Sequence, residues 1–327
     1  MSMAEYSPSS EYMSANRSVA LQMSPFSAYL EAGIAQRFEV VRWFEIDAAT
    51  REKLLSARAA DVRAVVTAGH VGCPLQLMQL LPNLGCIAIN GVGLDKVDLA
   101  VIRQRGIALG TTPGTLSEDV ADLAVGLLIA LLREIPAGDA HVRSGAWPRA
   151  ERPLARKVTG KRFGILGLGQ IGLAIAQRLA PFGPVAYSGP RRKPVSYMFH
   201  DDVISLARAV DVLVVACPAN ATTSRLVDAG VIDALGPSGY VVNISRGAVV
   251  DEAALVSALA SGRLAGAALD VFENEPNVPE SLRQLPNTVL TPHVASATQE
   301  TRTHMADLVL ANLDAFLLGQ PLPATPF

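Results

Sequence analysis

A chain of 327 residues, half of them apolar, with a formal net charge of −2, is long enough for two domains of ordinary size and lacks the basic excess that would draw it to nucleic acid or an anionic membrane. Three cysteines, Cys73, Cys86 and Cys217, sit in apolar stretches without metal-ligand spacing, which argues for core thiols in a reducing, cytoplasmic setting and against disulfides or a metal. The longest apolar run, Leu123 to Leu132, is half of the roughly 20 residues a membrane span requires, so the chain reads as soluble, with a small molecule as its partner.

Residues 1–17 are rich in Ser and lack both a basic start and an apolar h-region, so they read as a flexible head or an appended remnant rather than a signal peptide. From Ser18 onward short β-rich runs (SVALQM, FEVVRWF, VRAVVTAG, LGCIAIN, GIAL) alternate with helical patterns (YLEAGIAQR, ATREKLLSAR, PLQLMQLL), the signature of a parallel sheet covered by helices. After TTPG a long helix opens at Ser117, with Glu118 and Asp119 in its first turn, and is apolar on nearly all faces through Leu132. Such a helix needs burial all round, which a second subunit can supply.

A second alternation begins at Lys161: KRFGIL, a helix from Ile171, PVAYS, a helix near Val203, DVLVVAC, a helix near 226–235, GYVVNI, the helix DEAALVSALASG, GAALDV and TVLT. About six strands are expected, as in a doubly wound dinucleotide-binding domain. A last helix, Thr298 to Leu317, ends at Gly319 ahead of Pro321. The fold class is therefore α/β, with two Rossmann-like domains, one flavodoxin-like and one doubly wound, and a cleft between them.

KRFGILGLGQIG places Gly167, Gly169 and Gly172 at G-x-G-x-x-G spacing between a strand and a helix. Gly167 permits the tight turn, Gly169 lets the backbone approach a pyrophosphate, Gly172 allows close helix–strand packing, and the helix N-terminus offers N–H groups to phosphate. An NAD site places an acid about 20 residues further on to hold the ribose 2′-hydroxyl, yet no acid occurs between Gly172 and Asp201. Instead Ser188 is followed by Arg191, Arg192 and Lys193, which can pair with a 2′-phosphate. NADP(H) is expected as the preferred cofactor with NAD(H) possible; the alternative is a solvated basic loop.

Polar residues stand at three later strand ends, where open α/β sheets bind ligands. Arg246 can grip a carboxylate with two parallel N–H contacts. His293 can exchange a proton near neutral pH, and Glu275, if it meets His293 in space, would hold the ring's orientation. From spacing alone each is as readily an ordinary surface or ion-paired residue.

The segments NGVGLDKVDL, TTPGTLSEDVADLAVGLLIALLR, GILGLGQIG, VNISRGAVVDEAAL, GAALDVFENEP and TPHVASATQETR together resemble the D-isomer-specific 2-hydroxyacid dehydrogenases over essentially all of residues 18 to 320. Within that family the chain looks most like the NADPH-dependent glyoxylate/hydroxypyruvate reductases. The resemblance implies His293 as acid/base, Glu275 as its partner and Arg246 gripping the carboxylate and carbonyl of a 2-oxo acid. It implies that backbone N–H groups of Val92 and Gly93 help bind the carboxylate and that Asp270 orients the nicotinamide amide, although Asp270 could simply end its strand. Gln170, Ile171, Cys217, Pro218, Ile244 and Ser245, beside Arg246 and His293, complete the expected cofactor contacts.

It implies further that residues 18–110 with 295–327 form the substrate-binding domain around an inserted dinucleotide-binding domain, 111–294. A dimerisation helix and arm (about 117–150) would pair two subunits, with Trp147 either reaching the partner's site or serving as an ordinary packing residue. His70, in the loop AGHVG, stands near the expected substrate pocket without an assigned role. Formate dehydrogenases carry Gln where Glu275 stands, and little chain follows the last helix to form the regulatory domain of many phosphoglycerate dehydrogenases. The rival class is a non-enzymatic dinucleotide-sensing corepressor, which turnover would separate from an enzyme.

Overall fold

The computed structural model describes residues 17–326; apart from Arg17, the expected head lies outside the described residues. The chain forms two compact units, one that runs through Thr115 and resumes at Thr298, and one from Leu116 to Ala297.

In the first unit five parallel strands, β1 (Val19–Gln22), β2 (Glu39–Arg42), β3 (Val62–Ala68), β4 (Cys86–Asn90) and β5 (Ala108–Gly110), stand in the order β2-β1-β3-β4-β5. That is the flavodoxin-like order. Between them run α1 (Ala28–Arg37), α2 (Ala48–Arg58), α3 (Leu75–Leu80) and α4 (Leu99–Arg105). Side chains alternate across a strand, so Leu21, Val65 and Ile87 pack with Met78 and Ile102 on one face, while Ala20, Ala64 and Ala88 meet Leu30 and Ile34 on the other. Ser27, Asp47 and Asp98 cap α1, α2 and α4 by accepting N–H groups of the first turn.

The second unit opens with α5 (Ser117–Leu132) and α6 (Ile135–Arg143). It continues through β6 (Phe163–Leu166), α7 (Gln170–Leu179), β7 (Val185–Ser188), β8 (Met198–His200), α8 (Val203–Ala209), β9 (Val212–Val215) and α9 (Ala229–Leu235). Then come β10 (Tyr240–Asn243), α10 (Glu252–Ala260), β11 (Gly266–Leu269), α11 (Glu280–Arg283) and β12 (Thr288–Leu290). Its seven strands are all parallel, in the order β12-β11-β10-β9-β6-β7-β8. The order reverses between β6 and β9, the switch point at which doubly wound sheets bind ligands. Strands β6, β7, β9, β10 and β11 are buried along their whole length, as a sheet covered on both faces requires.

One feature differs from the sequence reading. Strand β8 adds a seventh member; Met198 is exposed and Phe199 and His200 are half-buried, and they give no apolar run to mark it. The apolar sides of α5 are largely buried within the unit, where Val120, Ala124, Leu127, Leu128 and Leu131 join the core with Ile175 and Leu179 of α7. Ile135 and Val142 of α6 and Trp147 and Leu154 after it are exposed. Among the described residues no helix is long and apolar enough to cross a membrane.

The chain returns to the first unit in α12 (Gln299–Leu317), capped by Thr298, whose hydroxyl accepts the Thr301 N–H. Ala306, Val309 and Leu313 pack into the core of α1. Asn312, fully buried, donates from Nδ2 to the Thr111 carbonyl (3.3 Å) and accepts the Ala324 N–H at Oδ1 (3.1 Å). It thereby ties helix, last strand and C-terminal segment together. Asn312→Ala strands both backbone groups in an apolar interior and should cost about 2 kcal/mol, read as a lower midpoint in urea unfolding.

Candidate active site

The glycine loop sits at the sheet's reversal point, and its geometry explains each glycine. Gly167 has φ +96°, and a Cβ there would come 2.6 Å from Cα of Cys217 at the end of β9. A Cβ on Gly172 would lie 2.1 Å from the Gly167 carbonyl oxygen, so α7 can approach β6 only with glycine at that position. Around Gly169, by contrast, a Cβ would meet nothing within 4 Å. Gly169 is the N-cap of α7 and no side chain caps that end, which leaves first-turn N–H groups, with Gln170 and Ile171, bordering open space. This cradle fits the pyrophosphate of a dinucleotide.

Beyond it the basic loop leaves β7. The Ser188 carbonyl accepts the Gly167 N–H (2.8 Å), so the glycine turn and the basic loop are fixed to each other. Ser188 is buried, and Arg191 and Arg192 are exposed. None of the side chains of Arg191, Arg192 and Lys193 has a hydrogen bond or ion pair among the described residues.

The remaining expected residues follow successive strands across one edge of the sheet. Cys217, buried, and Pro218, exposed, follow β9, while Ile244, Ser245 and Arg246 follow β10. A Cβ on Gly247 would lie 1.9 Å from the Phe272 carbonyl carbon, so the turn bearing Arg246 is pressed against the turn after β11. Arg246 is half-buried, and its Nη1 donates to the Ser245 carbonyl (2.7 Å).

His293 and Glu275 do meet: Nδ1 of His293 lies 2.7 Å from Oε2 of Glu275. The other carboxylate oxygen of Glu275 accepts the Phe272 N–H (3.0 Å). Both side chains are about one-third exposed, 33% and 28%, so the pair is reachable from solvent. They also border a cavity of about 250 Å³, otherwise mostly apolar, walled by Phe272, Pro276, Val278 and Leu290.

His293 has φ +53°, a left-handed backbone uncommon outside glycine. Asp270 holds it there. This carboxylate, fully buried, accepts the Thr291 hydroxyl (2.6 Å) and the Val294 and Ala295 N–H groups (2.9 Å each). The Asp270 carbonyl accepts the His293 N–H (2.8 Å). The sequence reading gave Thr291 no part; a hydroxyl residue directly after a strand, close before a polar turn, is the signal that could have marked it.

The other expected substrate contacts are Val92 and Gly93 of the first unit and Trp147 of the second. Val92, exposed, and Gly93 follow β4 of the first unit, where a Cβ on Gly69 would reach the Gly93 N–H nitrogen at 3.3 Å. His70 occupies the turn after β3. Trp147, beyond α6 in the second unit, is 66% exposed.

A switch-point glycine cradle on a doubly wound parallel sheet places the second unit among the dinucleotide-binding domains. Residues 125–295 match the family model described as D-isomer specific 2-hydroxyacid dehydrogenase, NAD binding domain. The chain is 47% identical over 304 residues to the hydroxyphenylpyruvate reductase of Plectranthus scutellarioides, covering 92% of this chain and 96% of that protein. It is 48% identical, with the same coverage, to glyoxylate/hydroxypyruvate reductase A of Arabidopsis thaliana. Among solved structures it superposes with a TM-score of 0.87 and 42% identity on the NADPH-dependent glyoxylate/hydroxypyruvate reductase of Sinorhizobium meliloti in complex with NADP and malonate, covering 95% of this chain and 98% of that one. The chain belongs to the D-isomer-specific 2-hydroxyacid dehydrogenases.

Because the Gly172 position is closed to any side chain, Gly172→Val should abolish retention of a dinucleotide. Gly169→Ala, facing open space, should leave the fold intact. Quenching of protein fluorescence by added dinucleotide, beside circular dichroism of both variants, checks this.

Proposed function

We propose that the protein reduces a small 2-oxo acid to the D-2-hydroxy acid with NADPH as preferred reductant, glyoxylate and hydroxypyruvate being the substrates and glycolate and D-glycerate the products. The observation that carries the chemistry is the 2.7 Å contact of His293 with Glu275, on the same unit as the glycine cradle. A nicotinamide dinucleotide held at that cradle supplies the hydride. Glu275, as an acceptor, fixes the proton of His293 on Nδ1 and the ring's orientation. The opposite nitrogen, Nε2, is then the atom that hands a proton to the substrate oxygen as negative charge develops there.

Arg246 binds the substrate carboxylate through its planar fork and stabilises the charge on the reacting oxygen. Backbone N–H groups of Val92 and Gly93 are assigned to the same carboxylate. In support of the NADPH assignment, no acid lies between Gly172 and Asp201, the Arg191 and Arg192 side chains have no partner among the described residues, and the S. meliloti relative was solved with NADP. Asp270 is the residue assigned to the nicotinamide amide, in addition to its hold on the His293 turn.

A homodimer formed through α6 and the arm is part of this reading. Ile135, Val142, Trp147 and Leu154 are 51%, 57%, 66% and 96% exposed, a cluster in sequence of apolar side chains that pairing would cover. Trp147 is the arm residue assigned to the partner's substrate site. The three free thiols, all buried, accord with a cytoplasmic enzyme.

Initial rates of reduced-cofactor consumption with glyoxylate, hydroxypyruvate and pyruvate, each with NADPH and with NADH, test the proposal. NADPH preference with glyoxylate or hydroxypyruvate is expected; NADH preference sinks the cofactor assignment, and no turnover with any acid sinks the activity. In the same assay His293→Gln should lose about 10² to 10⁴ in kcat while still binding cofactor, and near-full turnover would remove His293 from its role.

A further inference from the structure

The basic loop could be held in one shape only by contacts that the basic side chains themselves do not make. Nine residues, 189–197, connect β7 to β8, which returns beside β7 with Tyr187 opposite Phe199 in register. The two rings sit with centroids 5.2 Å apart and planes tilted by 50°, and Tyr187 is 1% exposed. Its neighbour on the other side is Ile165 of β6, the strand that delivers the glycine turn.

The one polar atom of this buried side chain points along the sheet into the loop. The Lys193 N–H donates to the Tyr187 hydroxyl (2.7 Å), and that hydroxyl in turn lies 3.4 Å from the Lys193 carbonyl, to which it donates. The same carbonyl accepts the Val195 N–H (2.9 Å). One phenol therefore clamps both sides of a single residue at the centre of the loop. The next two residues toward the N-terminus are the exposed Arg191 and Arg192.

From this we infer that Tyr187 is a positioning residue for cofactor selectivity: its hydroxyl fixes the loop so that Arg191, Arg192 and Lys193 converge on a 2′-phosphate monoester. The inference rests on the NADPH reading above. The physical need is plain. Three cations side by side on a free loop repel one another and would spread in solvent, and ordering such side chains at the moment of binding costs conformational entropy. A loop already pinned at Lys193 has met part of that cost before the ligand arrives. A nicotinamide dinucleotide without the 2′-phosphate makes no use of the pinned cations, so the hydroxyl matters to one cofactor and not to the other.

Tyr187→Phe removes the hydroxyl and keeps the ring against Phe199. Dissociation constants of NADPH and NADH, from fluorescence titration, and kinetics with each cofactor give the first readout. The expected result is a rise of about five- to tenfold in the NADPH constant and its KM, the scale of one lost hydrogen bond, with kcat and the NADH constant unchanged. Limited trypsin digestion of the cofactor-free protein gives the second: cleavage after Arg191 and Arg192 should be faster in Tyr187→Phe than in the parent, with other sites unaffected.

An equal weakening of both cofactors, or no change in either, overturns the inference, as does unaltered cleavage of the loop. The double variant Arg191→Ala/Arg192→Ala separates this from the underlying reading. If it binds NADPH as tightly as the parent, the 2′-phosphate assignment fails. If it loses NADPH while Tyr187→Phe does not, only the role of Tyr187 fails.

Discussion

A buried carboxylate held by hydrogen bonds, with no ion pair among the described residues, sets the geometry on which the chemistry depends. Asp270 is fully enclosed, and an ion there is tolerable only because hydrogen bonds replace its water. Those bonds come from the Thr291 hydroxyl and the Val294 and Ala295 N–H groups. The demand of the carboxylate for donors curls residues 291–295 around it, and the curl forces His293 to φ +53°. The energetic cost of that backbone, of order 1 kcal/mol or more, is offset by satisfying the buried charge. What results is an imidazole presented to Glu275 at 2.7 Å rather than swept along with an extended chain.

The same logic of close approach runs along the sheet. Turns after β9, β10, β11 and β12 carry Cys217, Arg246, Asp270 to Glu275, and Thr291 to His293, and these strands are successive neighbours, each about 4.8 Å from the next. Glycines permit the compression where backbones touch: Gly167 against Cys217 and Gly247 against Phe272. A side chain at either position would push one turn away from the next. The cradle for phosphate and the histidine pair are thus two ends of one row of turns, spaced by backbone hydrogen bonding rather than by flexible side chains.

Much of this row was legible in the sequence because its signals are local. The spacing of Gly167, Gly169 and Gly172 between a strand and a helix is a short-range pattern: Gly167 and Gly172 answer steric demands within a few ångströms, and Gly169 borders open space. Parallel strands announced themselves as apolar runs because both of their faces are buried. The pairing of Glu275 with His293 was an expectation conditional on meeting in space, since 18 residues and strand β12 separate them. What sequence could not show were contacts of the same kind without a motif. Asp270 read as a strand end or a cofactor contact, because the donors its carboxylate gathers lie 21 to 25 residues onward. Strand β8 escaped because three residues, one exposed and two half-buried, after a Pro- and Arg-rich loop carry no periodicity. The hydroxyl of Tyr187 was invisible for the same reason, being one atom of an otherwise ordinary strand residue. The apolar run of α5 reports a need for burial and not what meets it, whether the unit's own core, which Val120, Ala124, Leu127, Leu128 and Leu131 join, or a second subunit.

The chemistry depends on the Asp270 carboxylate to position His293. Asp270→Asn keeps the shape of the side chain but replaces one acceptor oxygen with a donor that faces N–H groups. Steady-state kinetics of that variant, alongside its dissociation constant for reduced dinucleotide, gives the most direct answer. The expected result is a fall in kcat of about a hundredfold, the scale of a displacement of roughly 1 Å at a reacting group, with the dinucleotide still bound. A variant with kcat close to that of the parent would show that His293 keeps its place without Asp270, and would contradict the account.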